Sequence, residues 1–574
     1  MDASFYEYSL RLHRFVDIGD RAMLSRRQRF LALLIVLSVW MLEMALGVIA
    51  YSPPSPFPAD APSTQFSAVR ANEILNDLVG DGIPHPWRSK QNGVVRERIL
   101  KYFREYGYKP EVQIYPNKTQ NILVRRPGTK PGAEIILAGH YDSVPDGPGA
   151  SDDGVAVAAF IEIARMLKDL PPTRNDIVFL ITDGEETNLL GARAYVRDRR
   201  TKTPVRIVLN FEARGTSGPS LMFQTSEDDA WLIPLFARHA TRPITSSLFT
   251  EVYKTLPNDT DFTIFKAFEM EGYNFAFVRD VRNYHTPRDN FQNVDRGSFQ
   301  HHGDNAWRML QVLADFDLAE RRPGRVIYTD VVGQFVLWWP EWINSWLAGG
   351  ILICTVVATA IAQRNGLLRA ARWRVLIAIP LMILLALIAS LPCAWIAGIP
   401  QLRASVTIDN GVAILVLYWA VALSMALGGI PFTPLGRVDT WSAWFGAWLY
   451  WNSLGFAAAL RVPGLSYLFI IPGLVATVAA LLAAISPKQY AGKALMAACI
   501  AGPMVAGLFW LPMQVLLYDG VGFMLPPVYP ACAGLLALTV LPLVLAMPAS
   551  QLDHATVVST THTAAKPDAT AEPA

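Results

Sequence analysis

Charged residues are distributed so unevenly along this chain that one globular fold cannot hold all of it. Residues 331–547 contain 13 charged side chains in 217 positions, whereas the 574-residue chain as a whole is 17% charged. The charge-poor segment is too apolar for a water-soluble domain, and the rest has the composition and length of a globular domain with a sizeable core. The sequence therefore predicts a soluble domain joined to an all-α multispanning membrane domain.

An apolar run at residues 30–51 predicts a transmembrane signal anchor, because about 20 apolar residues span a bilayer as a helix. A cleavable signal peptide is the alternative, but its apolar core is usually only ~7–15 residues long. Residues 1–29 are basic and should stay in the cytoplasm, which delivers the next segment to the other side of the membrane. Glu43 is unusual inside such a run, and we expect it to face another helix of the membrane domain.

The remaining boundaries follow from composition. A Pro-rich linker at residues 52–63 leads into the soluble domain at residues 64–325. Residues 548–574 are polar and rich in small residues, which predicts a disordered tail. Between the soluble domain and this tail we expect seven further membrane spans, which makes eight with the anchor. A total of nine spans is the alternative. The seven stretches are 341–363, 374–398, 408–430, 440–460, 464–485, 493–517 and 525–547.

Cysteine usage and net charge narrow the chemistry of the soluble domain. All four cysteines lie in the apolar segment, so the soluble domain has no disulfide and no thiolate for metal binding or nucleophilic catalysis. Any metal site there must use histidines and carboxylates. The formal net charge of +2 and the absence of a recognisable motif give no support to nucleic-acid binding.

Short apolar runs alternate with helical patterns in the soluble domain, which predicts an α/β fold with a mixed, mostly parallel sheet flanked by helices. We expect strands at 134–139, 176–183, 205–211 and 273–278, and a helix at 155–170. A histidine or a carboxylate follows each strand. In open α/β sheets, ligands bind at the carboxyl ends of the strands. The sequence therefore predicts a cluster of His140, Asp152, Glu186, Glu212 and His285.

Two imidazoles and three carboxylates form a ligand set for two divalent ions of the zinc type, bridged by a shared carboxylate. Each residue taken alone has a more ordinary interpretation. A single histidine after a strand is usually a loop or core residue, and Asp152 and Asp153 suit the N-terminus of a helix. The coincidence of five such placements favours the metal site.

Five motifs carry a resemblance to a known family: HYD at 140–142, GASDDG at 149–154, DGEE at 183–186, NFEARG at 210–215 and YHTPRDN at 284–290. Together and in this order, they resemble the M28 family of zinc aminopeptidases. The layout, with one anchor before the domain and a multispanning bundle after it, resembles the membrane-bound subgroup that includes endoplasmic reticulum and vacuolar M28 peptidases.

The resemblance implies a role for each matching residue. His140 would bind one zinc ion, Glu186 the other, and Asp152 would bridge them. Glu212 and His285 would complete the two ligand shells on opposite ions, although the family often has Asp at the position of Glu212. Glu185 would be the general base and Asp142 would orient His140. The peptide bond between Asp152 and Asp153 would be cis. Weaker candidates for substrate contacts are Asn258, Thr260 and Asp261.

These expectations combine into a membrane-anchored di-zinc aminopeptidase that hydrolyses N-terminal residues of peptides on the non-cytoplasmic side. A glutaminyl cyclase, a carboxypeptidase, or a non-catalytic receptor or scaffold on the same fold remain alternatives. Transport has no support, because the spans contain almost no ionisable groups. We expect a bacterial inner membrane with a periplasmic catalytic domain, with a membrane of the endoplasmic reticulum or vacuole as the alternative.

Overall fold

A computed structural model describes residues 24–130, 132–198, 205–256, 258–367, 440–487, 489–522 and 528–545, together with residue 420. The predicted spans 374–398 and 408–430 and the predicted tail 548–574 lie outside the described residues, apart from residue 420. Most of the basic segment 1–29 lies outside them as well.

A seven-stranded mixed sheet forms the centre of the soluble domain, with strand order β1-β2-β4-β3-β5-β7-β6. The four central strands are parallel, and β2 and β6 run in the opposite direction. The predicted α/β fold class is confirmed. The strands are β1 Glu111–Ile114, β2 Gln120–Arg126, β3 Ala133–His140, β4 Asp176–Thr182, β5 Val205–Ala213, β6 Leu221–Thr225 and β7 Glu271–Phe277.

The central strands are apolar along their length because helices cover both faces of the sheet. On β3, Ile135 and Leu137 belong to one buried apolar cluster, and Ile136 and Ala138 belong to another on the opposite face. The helices of the soluble domain are α2 Ala68–Val79, α3 Lys90–Glu105, α4 Val155–Leu167, α5 Leu190–Asp198, α6 Leu232–His239, α7 Ser247–Tyr253, α8 Asp261–Ala267 and α9 Arg296–Asp315.

Apolar helices form the second unit. These are α1 Arg26–Ala50, α10 Asn344–Arg364, α11 Thr440–Arg461, α12 Tyr467–Ile485, α13 Ala491–Val521 and α14 Val528–Leu545. Among the described residues, four helical segments are long and apolar enough to cross a membrane: Arg27–Ala50, Glu341–Arg364, Tyr467–Ile485 and Ala491–Gly520. Each coincides with one of the eight predicted spans. The total of eight spans stays a prediction.

Glu43 of α1 faces another helix, as expected. Its side chain is 8% exposed, and a Cβ atom added to Gly507 of α13 would lie 2.2 Å from Glu43 Oε2. The Nε1 of Trp40, one turn away, donates to the backbone carbonyl of Pro503 at 2.8 Å. The small residue on α13 therefore lets α1 approach closely enough to bury a carboxyl group between the two helices.

The soluble and membrane units contact each other directly. A hairpin of β8 Val326–Val331 and β9 Phe335–Pro340 leads from the sheet domain into α10. The hydroxyl of Tyr51 at the end of α1 donates to Asp330 Oδ2 at 3.2 Å. The hydroxyls of Ser246 and Tyr467 lie 2.8 Å apart, and Ser247 donates to the carbonyl of Gly464 at 3.0 Å. These bonds orient the sheet domain on the membrane helices.

Candidate metal centre

The predicted site residues lie at one edge of the sheet, where the parallel strands end. β3 ends at His140, which is paired in register with Thr182, the last residue of β4. Glu185 and Glu186 follow within a short turn. Glu212 lies on β5 itself, because that strand continues two residues beyond its predicted end and pairs Glu212 with Ala276 of β7.

The carboxylate of Asp152 lies between the two imidazoles. Its Oδ1 is 3.2 Å from Nε2 of His140, and its Oδ2 is 3.2 Å from Nε2 of His285. Glu212 Oε2 lies 3.8 Å from Nε2 of His140, and Glu186 Oε1 lies 3.1 Å from Nε2 of His285. The five side chains predicted to converge therefore form two groups that share Asp152.

A tight turn of the backbone presents Asp152. Gly149 has φ +63°, and a Cβ atom there would lie 2.7 Å from the carbonyl oxygen of Asp152, so only glycine fits. The peptide bond between Asp152 and Asp153 is cis, as the family resemblance implied. Asp289 then holds the turn, because its carboxylate accepts the backbone N–H groups of Ser151 at 2.7 Å and Asp152 at 3.1 Å.

Asp142 connects the two halves of the site. Its two carboxylate oxygens accept the backbone N–H groups of Glu185 at 3.0 Å and Glu186 at 3.3 Å. The Nδ1 of His140 lies 2.9 Å from the backbone carbonyl oxygen of Asp142 and 3.6 Å from its carboxylate. Asp142 thus contacts His140 chiefly through its main chain, while its side chain fixes the turn that carries both glutamates.

Buried charges strongly shift the pKa values here. Burial raises the pKa of Glu212 to about 8, and burial together with Asp152 raises that of Glu186 to about 7. Burial opposes ionisation of Asp152, but contacts with His140 and His285 lower its pKa to about 2. Burial disfavours the charged form of His285, yet the neighbouring carboxylates Asp152 and Glu186 raise its pKa to about 10. The site gathers negative charge away from water, which a cation would offset.

The donor atoms fit a metal ion. Glu186 Oε1 and His285 Nε2 are buried and lie 3.1 Å apart without the geometry of a hydrogen bond, and Asp153 Oδ1 is buried without a hydrogen-bond partner among the described residues. Two groups have ligand atoms within 4.8 Å of one another, namely His140 with Asp152 and Glu186, and His140 with Asp153 and Glu212. Asp153 also accepts the backbone N–H of His140 at 3.1 Å. Because buried imidazole and carboxylate groups with free lone pairs are typical zinc ligands, the residues form a candidate metal centre.

Comparison with known proteins agrees with this geometry. Residues 121–310 match the model described as Peptidase family M28. The chain contains an M28 peptidase domain. The resemblance drawn from the five motifs is therefore confirmed.

Two curated relatives are, by name, a metallopeptidase of the endoplasmic reticulum and a protease of the vacuolar membrane. The chain is 32% identical over 239 residues to endoplasmic reticulum metallopeptidase 1 of Mus musculus, covering 40% of this chain and 27% of that protein. A vacuolar membrane protease of Candida albicans (strain SC5314) is 27% identical over 335 residues, covering 55% of this chain and 38% of that protein. The chain thus aligns with well under half of the length of either relative.

Two solved structures are also similar. An aminopeptidase from Aneurinibacillus sp. strain AM-1 aligns with a TM-score of 0.39 and 14% identity, over 46% of this chain and 98% of that chain. A glutaminyl cyclase from Porphyromonas gingivalis aligns with a TM-score of 0.35 and 18% identity, over 43% of this chain and 99% of that chain. Nothing about activity follows from similarity at this level.

A cavity of about 350 Å³ opens beside the metal centre of the M28 domain. Asn258 and Thr260, which the sequence offered as substrate contacts, line it. Asp261 does not line it and instead accepts the hydroxyl of Thr182 at 2.5 Å.

Sequence reasoning missed three residues near the site. Arg214 and Tyr284 line the cavity, and the ring of Tyr284 stacks on that of His285 with centroids 3.7 Å apart. Asp289 is the third, because its carboxylate accepts two backbone N–H groups of the turn that presents Asp152. All three lie within the quoted motifs NFEARG and YHTPRDN, so the motifs contained the signal, but no general rule assigned these residues a role.

Proposed function

We propose that the chain is a membrane-anchored di-zinc aminopeptidase that removes N-terminal residues from peptides. The observation that carries this proposal is the position of Asp152, with one carboxylate oxygen directed to each histidine and a glutamate beside each histidine. A single zinc ion needs only one such set of ligands, whereas this chain has two sets joined by one carboxylate.

The proposed ligands divide into two shells. His140 and Glu212 would hold one ion, and Glu186 and His285 would hold the other, with Asp152 shared between them. When bound, such ions lower the pKa of a coordinated water and polarise the substrate carbonyl. Asp142 supports both shells, because it contacts His140 and fixes the backbone of Glu186.

Glu185 is the proposed general base. It lines the cavity next to the ligands, and its backbone N–H donates to Asp142 at 3.0 Å. Burial raises the pKa of Glu185 well above its usual range. Two bound cations would lower this raised pKa again, and a carboxylate whose pKa lies near the operating pH is suited to accept a proton from the attacking water and to return it to the leaving amine.

The charge of the cavity supports attack at the amino end of a peptide. Glu185 and Asp259 line it without being proposed metal ligands, so their carboxylates remain to favour a positively charged α-ammonium group. A carboxypeptidase is the second candidate because of Arg214. This side chain also lines the cavity, and although its Nη1 donates to the carbonyl of Gly520 at 3.5 Å, its Nε has no hydrogen-bond partner among the described residues, so the guanidinium has donors left for a substrate carboxylate.

The location of the enzyme is part of the same proposal. We expect the M28 domain on the non-cytoplasmic side of the membrane, in the periplasm of a bacterium or in the lumen of an endoplasmic reticulum or vacuole. The names of the two relatives support the eukaryotic compartments.

The test compares Glu185→Gln with wild type in the full-length protein. The variant should keep its zinc and lose about 10²- to 10⁴-fold in kcat on aminoacyl reporters, because it removes the base without removing a ligand. Glu227→Gln is the control, since Glu227 is exposed in the same domain and does not line the cavity. Unchanged turnover by Glu185→Gln would remove Glu185 from this role.

A substrate panel separates the reactions. An aminopeptidase should cleave peptides with a free N-terminus and a blocked C-terminus. Cleavage only of N-blocked peptides with a free C-terminus would favour the carboxypeptidase, and cyclisation of N-terminal glutamine would favour the cyclase.

A further inference from the structure

The cavity beside the candidate metal centre has apolar as well as acidic lining residues, and some of the apolar ones come from a membrane helix. Leu516, Leu517 and Gly520 of α13 line the cavity together with Phe223 and Phe249 of the M28 domain. The carboxylates of Asp152, Glu185, Glu186 and Glu212 line the same cavity. A substrate bound there would place its reacting groups at these carboxylates and its side chain among the apolar residues.

The end of α13 is fixed against the M28 domain. Arg279, two residues beyond β7, donates from Nε and Nη2 to Asp519 Oδ2 at 2.9 and 2.8 Å. Leu516 is 2% exposed and belongs to the same buried apolar cluster as Leu221 and Phe249 of the M28 domain. Because an ion pair and continuous apolar packing hold this helix end, it forms a stable wall of the cavity.

The length of α13 agrees with a position of its C-terminal end at the cavity. α13 continues past its apolar stretch to Val521, so the helix places Asp519 and Gly520 beyond the last run of leucines. The carbonyl of Gly520 is 3.5 Å from Nη1 of Arg214, which also lines the cavity. These two polar contacts of the helix end therefore lead to arginines of the M28 domain, and one of them, Arg214, lines the cavity.

We propose that α13 completes the pocket for the substrate side chain, so that the membrane unit helps to determine specificity. The substrate class is a peptide whose N-terminal residue carries a bulky apolar side chain, such as leucine or phenylalanine. This inference rests on the proposed aminopeptidase function. Each methylene group that an apolar pocket accepts or rejects changes kcat/KM by roughly 10- to 200-fold.

The test measures kcat/KM for leucyl, phenylalanyl and alanyl reporters with the full-length protein in nanodiscs. Wild type should prefer the leucyl over the alanyl reporter by at least about 10-fold. Leu517→Trp fills the pocket and should reduce that ratio by about 10-fold or more. Leu516→Ala enlarges the pocket and should shift the preference from the leucyl towards the phenylalanyl reporter.

Leu508→Trp is the matched control, because Leu508 is half-buried on the same helix but does not line the cavity. Its ratios should equal those of wild type. Unchanged ratios in both Leu517→Trp and Leu516→Ala, with reporter hydrolysis retained, would overturn the inference.

A second readout does not need turnover. Leu517→Cys should react with a charged, water-soluble thiol reagent, and leucinamide should slow this reaction at least about 10-fold more than glycinamide does. The same reaction with Leu508→Cys, whose new cysteine does not line the cavity, measures how fast the native cysteines and a cysteine outside the pocket react. Protection by leucinamide supports the pocket even if no reporter is cleaved, in which case only the aminopeptidase proposal fails. Equal reaction rates with the two amides would overturn the pocket.

Discussion

Asp289 should control metal binding without contacting the metal. Its buried carboxylate accepts two backbone N–H groups from the turn that presents Asp152, with N···O distances of 2.7 Å to Ser151 and 3.1 Å to Asp152. In Asp289→Asn, the amide oxygen can accept one of these N–H groups, but the NH₂ group must face the other. The change keeps the size of the side chain and removes one acceptor.

The expected cost follows from those two bonds. A hydrogen bond to a charged acceptor contributes about 1.5–3 kcal/mol, a neutral one about 1 kcal/mol, and a buried N–H left without a partner costs about 1–3 kcal/mol. The substitution should therefore destabilise the native turn by roughly 2–4 kcal/mol. If all of this free energy is lost from zinc binding through Asp152, the affinity for zinc falls by roughly 30- to 700-fold.

The assay titrates zinc against a competing chelator in the full-length protein at pH 8. That pH is chosen because burial and the neighbouring Asp152 raise the pKa of Asp289 to about 7. Asp229→Asn is the control, since Asp229 is also buried and accepts the backbone N–H of Val326, but lies near the opposite edge of the sheet. A folded Asp289→Asn protein with an affinity within about threefold of wild type would refute the reasoning.

Two further predictions concern stability. Burial raises the pKa of Asp229 to about 7, whereas an aspartate in the unfolded chain has a pKa of about 4. As the pH rises from about 4 to about 7, this carboxyl ionises in the unfolded chain but stays protonated in the folded one, so wild type should lose stability over that window. The Tm of Asp229→Asn relative to wild type should rise over that window, and a constant difference would contradict the buried titration. In Gly272→Ala, the new Cβ would lie 1.9 Å from the carbonyl oxygen of Val208 on β5, which should lower the apparent Tm by roughly 5–10 °C. Gly93→Ala is its control, because only Arg96 Nη2, at 3.7 Å, is near that Cβ on α3, and its Tm should not fall.

The convergence of the site residues could be predicted because parallel strands end at one edge. His140 and Glu212 belong to adjacent parallel strands, and that pairing brings their side chains together although 72 positions separate them. The periodic pattern also predicted the helix after Asp153, although α4 ends at Leu167 and not at Leu170. β1 and β6 were not predicted, because short edge strands have weak apolar patterns, and β2 was missed because its apolar run is only three residues long, from Ile122 to Val124.

The interface between the two units could not be predicted from the sequence. The apolar composition predicted a span at 493–517, but α13 continues to Val521 despite Pro503 and Pro512. The residues beyond the predicted end include Asp519, whose partner Arg279 lies 240 positions earlier. Such a pairing depends on how the sheet domain packs on the helices, and no local pattern in a single sequence records it.

Side chains far apart in sequence should together bind two metal ions through the carboxylate of Asp152. The zinc content of the purified full-length protein, measured by elemental analysis after dialysis against buffer with trace zinc, tests this arrangement. We expect about two zinc ions per wild-type chain and loss of both in Asp152→Asn, because each shell loses its shared ligand. A wild-type chain that holds no zinc, or an Asp152→Asn chain that keeps two tightly bound ions, would contradict it.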